Sequence, residues 1–329
     1  MLERLTVDEA ALTIASSGSE LGPVCDKARE YAAASKAPNT VLAYRSDWQH
    51  FNTWCLLQGL ETMPAAPHTI ALFIADLGGV NKPATIIRRL AAISKVHQAA
   101  GHESPCAMRH AEVREVLAGI KRTHGTAQAG KAALLTDHLR QMLDVIRPDS
   151  LIGKRDTAML LLGFAGAFRR SELCALTIND IVFKDDGLKV TLRHSKTDQE
   201  GQGRAVGIPY GSNPQLCPVR SLRRWLEAAA IVEGPLFRGV NRHGHVADHA
   251  VTHQVVRRIV QRYCKTAGLD VTQFSAHSLR SGFVTQATIG GASERSIMNQ
   301  TGHKNSAMIR RYTRDLDLWR DNAATRLGL

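Results

Sequence analysis

Between Arg122 and Leu134 the chain reads Thr-His-Gly-Thr-Ala-Gln-Ala-Gly-Lys-Ala-Ala, small and polar with two glycines and no side chain large enough to anchor a core. Apolar patterns on either side of such a stretch must build separate cores, and 329 residues suffice for both, since a single core usually stops growing before that length. The expected layout is a tail over 1–35, a helical unit over 36–123, a flexible linker over 124–134 and a second unit over 135–329.

Before the linker the signals are helical. Residues 1–35 are rich in Ala and Ser without a sustained apolar period and read as a loosely held tail. From Thr40, Val41, Tyr44, Trp48, Phe51 and Cys55 recur at helical spacing and predict an amphipathic helix ending near Gly59. Further helices are predicted at about 68–78, 83–100 and 108–121. They carry Arg88, Arg89, Lys95, Arg109, Arg114 and Lys121, with Lys82 and Arg122 at their edges.

After the linker the pattern is mixed. Helices are predicted near 136–146 and 154–165. Ile181–Lys184, the turn Asp185-Asp186-Gly187, Leu188–His194 and Arg204–Pro209 then read as a small antiparallel sheet. Helices resume at about 218–230 and 252–267, the latter with Arg258, Arg262 and Lys265 along a basic stripe suited to a groove or a phosphate backbone. The fold class is therefore mostly α, with a helical bundle followed by an α+β unit.

Charge narrows the partners. The net charge is +12, which draws a protein toward polyanions. Residues 1–130 hold 13 Lys+Arg against 12 Asp+Glu, leaving 42 − 13 = 29 against 30 − 12 = 18 in the remainder, an excess of +11. The longest apolar stretch, Ala158–Phe168, is too short to cross a bilayer, and the N-terminus lacks the basic start and apolar core of a secretory signal, so a cytoplasmic protein without a membrane partner is expected. Six cysteines stand singly, without the paired spacing of a zinc site. No P-loop, H-E-x-x-H or acidic metal cluster is present, so neither a metal nor another cofactor is expected.

Several motifs are weak alone and strong in order. Gly166-Ala-Phe-Arg169-Arg-Ser-Glu172-Leu places an arginine and a glutamate at the end of a buried helix, with Arg170 competing for the arginine's place. Lys196 stands at the expected hairpin tip, with Lys184 and Lys189 nearby. His277-Ser-Leu-Arg280 is the only H-x-x-R in the chain. Gly302-His303 follows, and Tyr312 stands nine residues beyond His303.

This series resembles the tyrosine recombinase family, which includes Cre, the Xer recombinases and the phage integrases. Arg169 to Leu173 is similar to the family's first arginine box, Lys196 to its β-hairpin lysine, His277 to Gly282 to its second box, Gly302-His303 to its third, and Tyr312 to its nucleophile. Ser278, often Asp in the family, and Arg311 depart from the commonest pattern. The resemblance implies a tyrosine recombinase fold: an N-terminal core-binding domain, SAM-like in its helical bundle, and an α+β catalytic domain ending in an exchange helix.

It also implies roles. Arg169 and Arg280 would neutralise the phosphate, His277 would help Tyr312 lose its proton, and Lys196 would protonate the leaving 5′-hydroxyl. His303 would hydrogen-bond the phosphate, and Glu172 would support the arginine and histidine positions. Arginine suits phosphate because its planar fork is always charged. Candidates for DNA contact are Thr252, His253, Arg257 and Arg258, with Thr40, Arg88 and Arg89 in the first unit. The implied partners are duplex DNA with an inverted-repeat site and three further copies of the chain, acting at the nucleoid. Leu316, Trp319, Ala323, Ala324 and Leu327 would form an apolar stripe that docks in trans or packs in cis. Type IB topoisomerases and telomere resolvases share the tyrosine chemistry, and a regulator built on the same fold would lack the complete residue set.

Overall fold

The structure, a computed structural model, describes residues 22–35, 37–127, 130–193, 203–310, 312, 322, 324 and 327. The chain divides into two compact units between Ala129 and Gly130.

The first unit is helical: α1 (Gly22–Ala34), α2 (Pro38–Gln58), α3 (Pro67–Leu77), α4 (Pro83–Ala99) and α5 (Ala111–His124). Proline opens α2, α3 and α4, where its missing N–H costs nothing because the first helical turn has no acceptor for it. Gly59 closes α2 in the left-handed region at φ 67°, and the Leu60 amide turns back to Cys55 O. Phe51, Ile70, Phe73, Ile74, Ile86 and Ile93 are among the residues that fill the core between these helices. Within the stretch read as a loosely held tail, Gly22–Ala34 forms a helix on which Val24 and Tyr31 are exposed.

The second unit opens with α6 (Thr136–Asp144) and α7 (Leu151–Ala165). Ser150 caps α7, accepting from Gly153 N at 3.0 Å, a contact worth about 1 kcal/mol. Ala158 to Leu162 are all buried, so α7 is the central rod, packed against α9 (Pro218–Ala228) and α11 (His277–Ile289). The short helix α8 (Arg170–Ala175) precedes a three-stranded antiparallel sheet, β1 (Ile181–Lys184), β2 (Gly187–Leu192) and β3 (Arg204–Pro209), in that order. Lys184 faces Gly187 and Leu188 faces Ile208, so Asp185-Asp186 forms the tight turn. A ribbon of β4 (Arg238–Val240) and β5 (Val246–Ala250), helix α10 (His253–Thr266) and helix α12 (Glu294–Thr301) complete the named elements. Residues 306–310 and Tyr312 are helical as well.

Within the stretch read as a linker, residues 132 and 134 are held by the second unit. Ala132 N donates to Gln273 O at 2.9 Å, Leu134 N donates to Ser278 O at 3.0 Å, and Leu134 is fully buried. The second half of the Ala-rich stretch is therefore pinned along α11; small residues allow that close approach as readily as they allow flexibility. Among the described residues no helix is long and apolar enough to cross a membrane, and no group of three or more His, Cys, Asp or Glu side chains could hold a metal ion.

Candidate active site

The fold brings Arg169, Glu172, His277, Arg280, His303 and Tyr312 together. Arg169 is the N-cap residue of α8 and Glu172 is its N3 residue. The Glu172 carboxylate accepts from Arg169 N at 2.9 Å and from Arg169 Nη1 at 2.5 Å. A capping interaction thereby also aims a guanidinium. Arg170, the competing arginine, points to the exposed side.

Arg280 lies on α11 and is only 1% exposed. Its Nη1 donates to Ala167 O and its Nη2 to Thr301 O, each at 2.6 Å, and Nη2 also reaches His303 Nε2 at 3.0 Å. The Ala167 carbonyl is available because the chain after α7 turns through φ 50° at that residue, an unusual conformation for alanine. Burial, and after it the Arg169 charge, lowers the Arg280 pKa to about 10, which leaves it protonated near neutrality.

His303 is buried. Its Nδ1 meets Thr301 Oγ1 at 3.0 Å, and that hydroxyl donates to Ile297 O at 2.7 Å. One proton arrangement satisfies the whole chain: Arg280 donates to Nε2, Nδ1–H donates to Thr301, and the imidazole is neutral. Burial, then Arg280 and Arg169, push its pKa down to about 4, which keeps the ring neutral. In this arrangement His303 Nε2 accepts from Arg280 and orients it.

His277 is the first residue of α11, and its Nε2 lies 2.8 Å from Tyr312 Oη. One edge of the ring is open to solvent. The protein packed around the rest lowers the pKa first, followed by the charges of Arg280, Arg169 and Arg170, so the imidazole is the neutral acceptor that a phenol proton requires. Tyr312 is half-buried against a small apolar cluster of Val284, Ile297 and Ile309, with its ring stacked 6.1 Å from that of His303.

Lys196 lies outside the described residues, as do Leu316, Trp319 and Ala323 of the C-terminal stripe. Thr252, His253, Arg257 and Arg258 are all exposed at the start of α10. Arg257 lines a recess of about 680 Å3 beside His277, together with Lys131, Arg170, Gln261 and Thr272. Thr40 is half-buried on α2. Arg88 and Arg89 are occupied within their own unit: Arg88 Nη1 donates to the buried Asp47 at 2.6 Å, and Arg89 lies 3.6 Å from the same carboxylate.

Three groups built into this cluster escaped the sequence reading. The Ala167 carbonyl leaves no signal in a sequence. Thr301 is recognisable only once His303 is folded beside it. Arg204 had a signal: it shares the inward face of β3 with the buried Val206 and Ile208, and an arginine on that face calls for an explanation.

A buried helical rod, a three-stranded sheet and a tyrosine held by histidine beside a buried arginine define a class that known proteins share. The phage integrase family matches over residues 133–318. An integrase/recombinase xerD homolog of Selenomonas ruminantium is 40% identical over 304 residues, covering 92% of this chain and 89% of its own. Tyrosine recombinase XerC of Thermodesulfovibrio yellowstonii is 26% identical over 84% of this chain and 85% of its own. The same fold occurs in the XerH site-specific recombinase bound to palindromic difH substrate (TM-score 0.64, 17% identity, 92% of this chain and 83% of that one). It occurs again in a lambda integrase dimer bound to a COC′ core site (TM-score 0.57, 17% identity, 91% and 77%). The chain belongs to the phage integrase family of tyrosine recombinases, enzymes that cleave and rejoin DNA.

Proposed function

We propose that the chain is a site-specific recombinase in which Tyr312 is the nucleophile. The observation that carries this reading is the 2.8 Å contact of Tyr312 Oη with a neutral His277, beside the guanidiniums of Arg169 and Arg280. Tyr312 Oη attacks phosphorus and gives its proton to His277 Nε2. The bond from phosphorus to the 5′ oxygen breaks, and Lys196, by family resemblance, protonates the leaving 5′-hydroxyl. Charge gathering on the non-bridging oxygens is met by Arg169 and Arg280. A 3′-phosphotyrosine remains. The 5′-hydroxyl of a second strand then attacks it, reforming a phosphodiester and returning the phenol, so the bond energy is conserved without a nucleotide cofactor.

Four protomers exchange strands in pairs through a Holliday junction on sites with inverted repeats, in the cytoplasm at the nucleoid. The DNA backbone follows the basic recess beside His277 and the start of α10, with Thr252, His253, Arg257 and Arg258 as contacts and Thr40 contributing from the first unit. Arg88 and Arg89 serve Asp47 first. Residues 36–123 form the core-binding domain and 135–329 the catalytic domain, with the segment after Tyr312 docking on a neighbouring copy.

The test is covalent capture. The protein is incubated with a pool of randomised duplexes, quenched with SDS, and the attached DNA is sequenced. Wild type is expected to retain a defined sequence on Tyr312, and Tyr312→Phe to bind the same DNA without retaining it. Capture by Tyr312→Phe, or none by wild type, refutes the reading. Relaxation of supercoils without sequence preference would indicate topoisomerase chemistry instead.

A further inference from the structure

Arg204 has no place in the scheme above, yet it is built into the same cluster. It is the first residue of β3, the strand that follows the Lys196 segment. Its Nη1 donates to Gln300 O at 2.8 Å. The Gln300 amide in turn donates to Ala165 O at 2.9 Å and Gly207 O at 3.1 Å, so one arginine and one glutamine tie together the end of α7, strand β3 and the end of α12. Its Nη2 lies 4.0 Å from Glu172 Oε2, the oxygen that also accepts from the Arg169 amide.

Two of its nitrogens, Nε and Nη2, are shut off from solvent and find no hydrogen-bond partner among the described residues. A guanidinium with two enclosed, unsatisfied nitrogens is costly and is retained only where something else requires it. The neighbouring Gly302 points the same way. It ends α12 at φ 69°, and a Cβ there would come within 2.8 Å of Arg204 Nε. The glycine of the Gly302-His303 pair thus supplies both a left-handed turn and the floor on which Arg204 lies.

We propose that Arg204 is a positioning residue of the strand-cleaving site: wedged between Gly302 and Glu172, it fixes the backbone that presents His303 and the carboxylate that aims Arg169, and it adds a buried positive charge beneath the phosphate position. Arg169, Arg204 and Arg280 face a single carboxylate, Glu172, so the empty site is short of negative charge. The extra charge that develops on the non-bridging oxygens during attack relieves that repulsion further than the bound phosphodiester does, which favours the transition state over the bound duplex. Nε and Nη2 of Arg204 are enclosed by protein and its Nη1 is engaged by Gln300 O, so Arg204 acts through the residues it holds and not as a phosphate contact. This assignment rests on the strand-cleaving reading of the site.

The experiment uses the full chain and the duplex captured from the randomised pool, and measures the single-turnover rate of covalent complex formation separately from DNA affinity and its salt dependence. Arg204→Met is expected to slow covalent capture by about 10- to 100-fold while Kd and the slope of log Kd against log salt stay unchanged. Arg204→Lys, which keeps the charge and can reach Gln300 O, is expected to recover part of that rate. Gly302→Ala is expected to slow capture, and to slow it less in an Arg204→Ala background, where the Arg204 atoms its methyl would strike are gone and only the strain at φ 69° remains. If Arg204→Met folds poorly, Arg204→Lys and Gly302→Ala carry the test. Capture within twofold of wild type in all the variants overturns the assignment. A salt slope reduced by about one also overturns it, by making Arg204 a phosphate contact. If wild type captures no DNA, both this assignment and the strand-cleaving reading fall; normal capture by the Arg204 variants removes this one alone.

Discussion

Acid should loosen the active site through His303. The ring is 6% exposed, and its pKa is held at about 4 by burial and by the charges of Arg280 and Arg169, against 6.5 for an ordinary histidine. The folded state therefore binds this proton less readily than the unfolded chain. The associated stability is fully present above pH 6.5 and is lost as pH falls from there toward 4. The gap between 6.5 and about 4 amounts to about 3.4 kcal/mol when complete, of which about 2 kcal/mol is already gone at pH 5. The physical event is protonation of Nε2, which turns the acceptor of the Arg280 bond into a second cation against it. Hydrogen exchange of the backbone amides in α11 and α12, followed by mass spectrometry at pH 7.5 and pH 5 with rates corrected for intrinsic pH dependence, reports the opening free energy of this region. His303→Gln keeps an acceptor for Arg280 but does not titrate, and every other ionisable group is common to both proteins. Wild type should lose about 2 kcal/mol more than His303→Gln between the two pH values. A difference below about 0.5 kcal/mol would refute the reasoning, because the variant would then share the wild-type response and the proton would have to land elsewhere.

Two further substitutions test the packing. A methyl on Gly282 would sit 1.9 Å from Leu134 O, a backbone atom, so Gly282→Ala should displace the pinned segment before α6 and lower the stability of the second unit by about 1–3 kcal/mol in urea unfolding; a change within 0.5 kcal/mol would mean that the segment is free to move. Arg88→Ala should cost the first unit about 1–2 kcal/mol by leaving the buried Asp47 to Arg89 alone, with little effect on the salt dependence of DNA binding; unchanged stability with a slope reduced by about one would reassign Arg88 to phosphate contact.

What the sequence makes legible depends on whether the partners are local. Arg169 and Glu172 are three residues apart on one helical turn, so their pairing follows from spacing. Proline and Gly59 mark helix ends through backbone geometry that belongs to the residue itself. The order of β1, β2 and β3 follows from alternation and one tight turn. Arg88 shows the opposite case. Its carboxylate is Asp47, on a different helix, and without that contact a basic helix reads as a DNA surface. The docking of Ala132 and Leu134 along α11 was hidden for the same reason: its acceptors, Gln273 and Ser278, come from the far end of the unit. Arg204 is intermediate, since its inward face was visible in the alternation of β3 while its contacts with Gln300 and Glu172 were not.

The Ala167 carbonyl that receives Arg280 sets a different kind of requirement from the charged residues around it. What the arginine needs there is a peptide plane at a given tilt, and because Ala167 is fully buried at φ 50°, only a small residue keeps that left-handed step. Tolerance in this turn should therefore be set by its length and by the smallness of residues 166 and 167. Lengthening or shortening it by one residue would swing the carbonyl away and leave a buried guanidinium proton bare, whereas exchanging Ala167 for glycine would keep the acceptor in place.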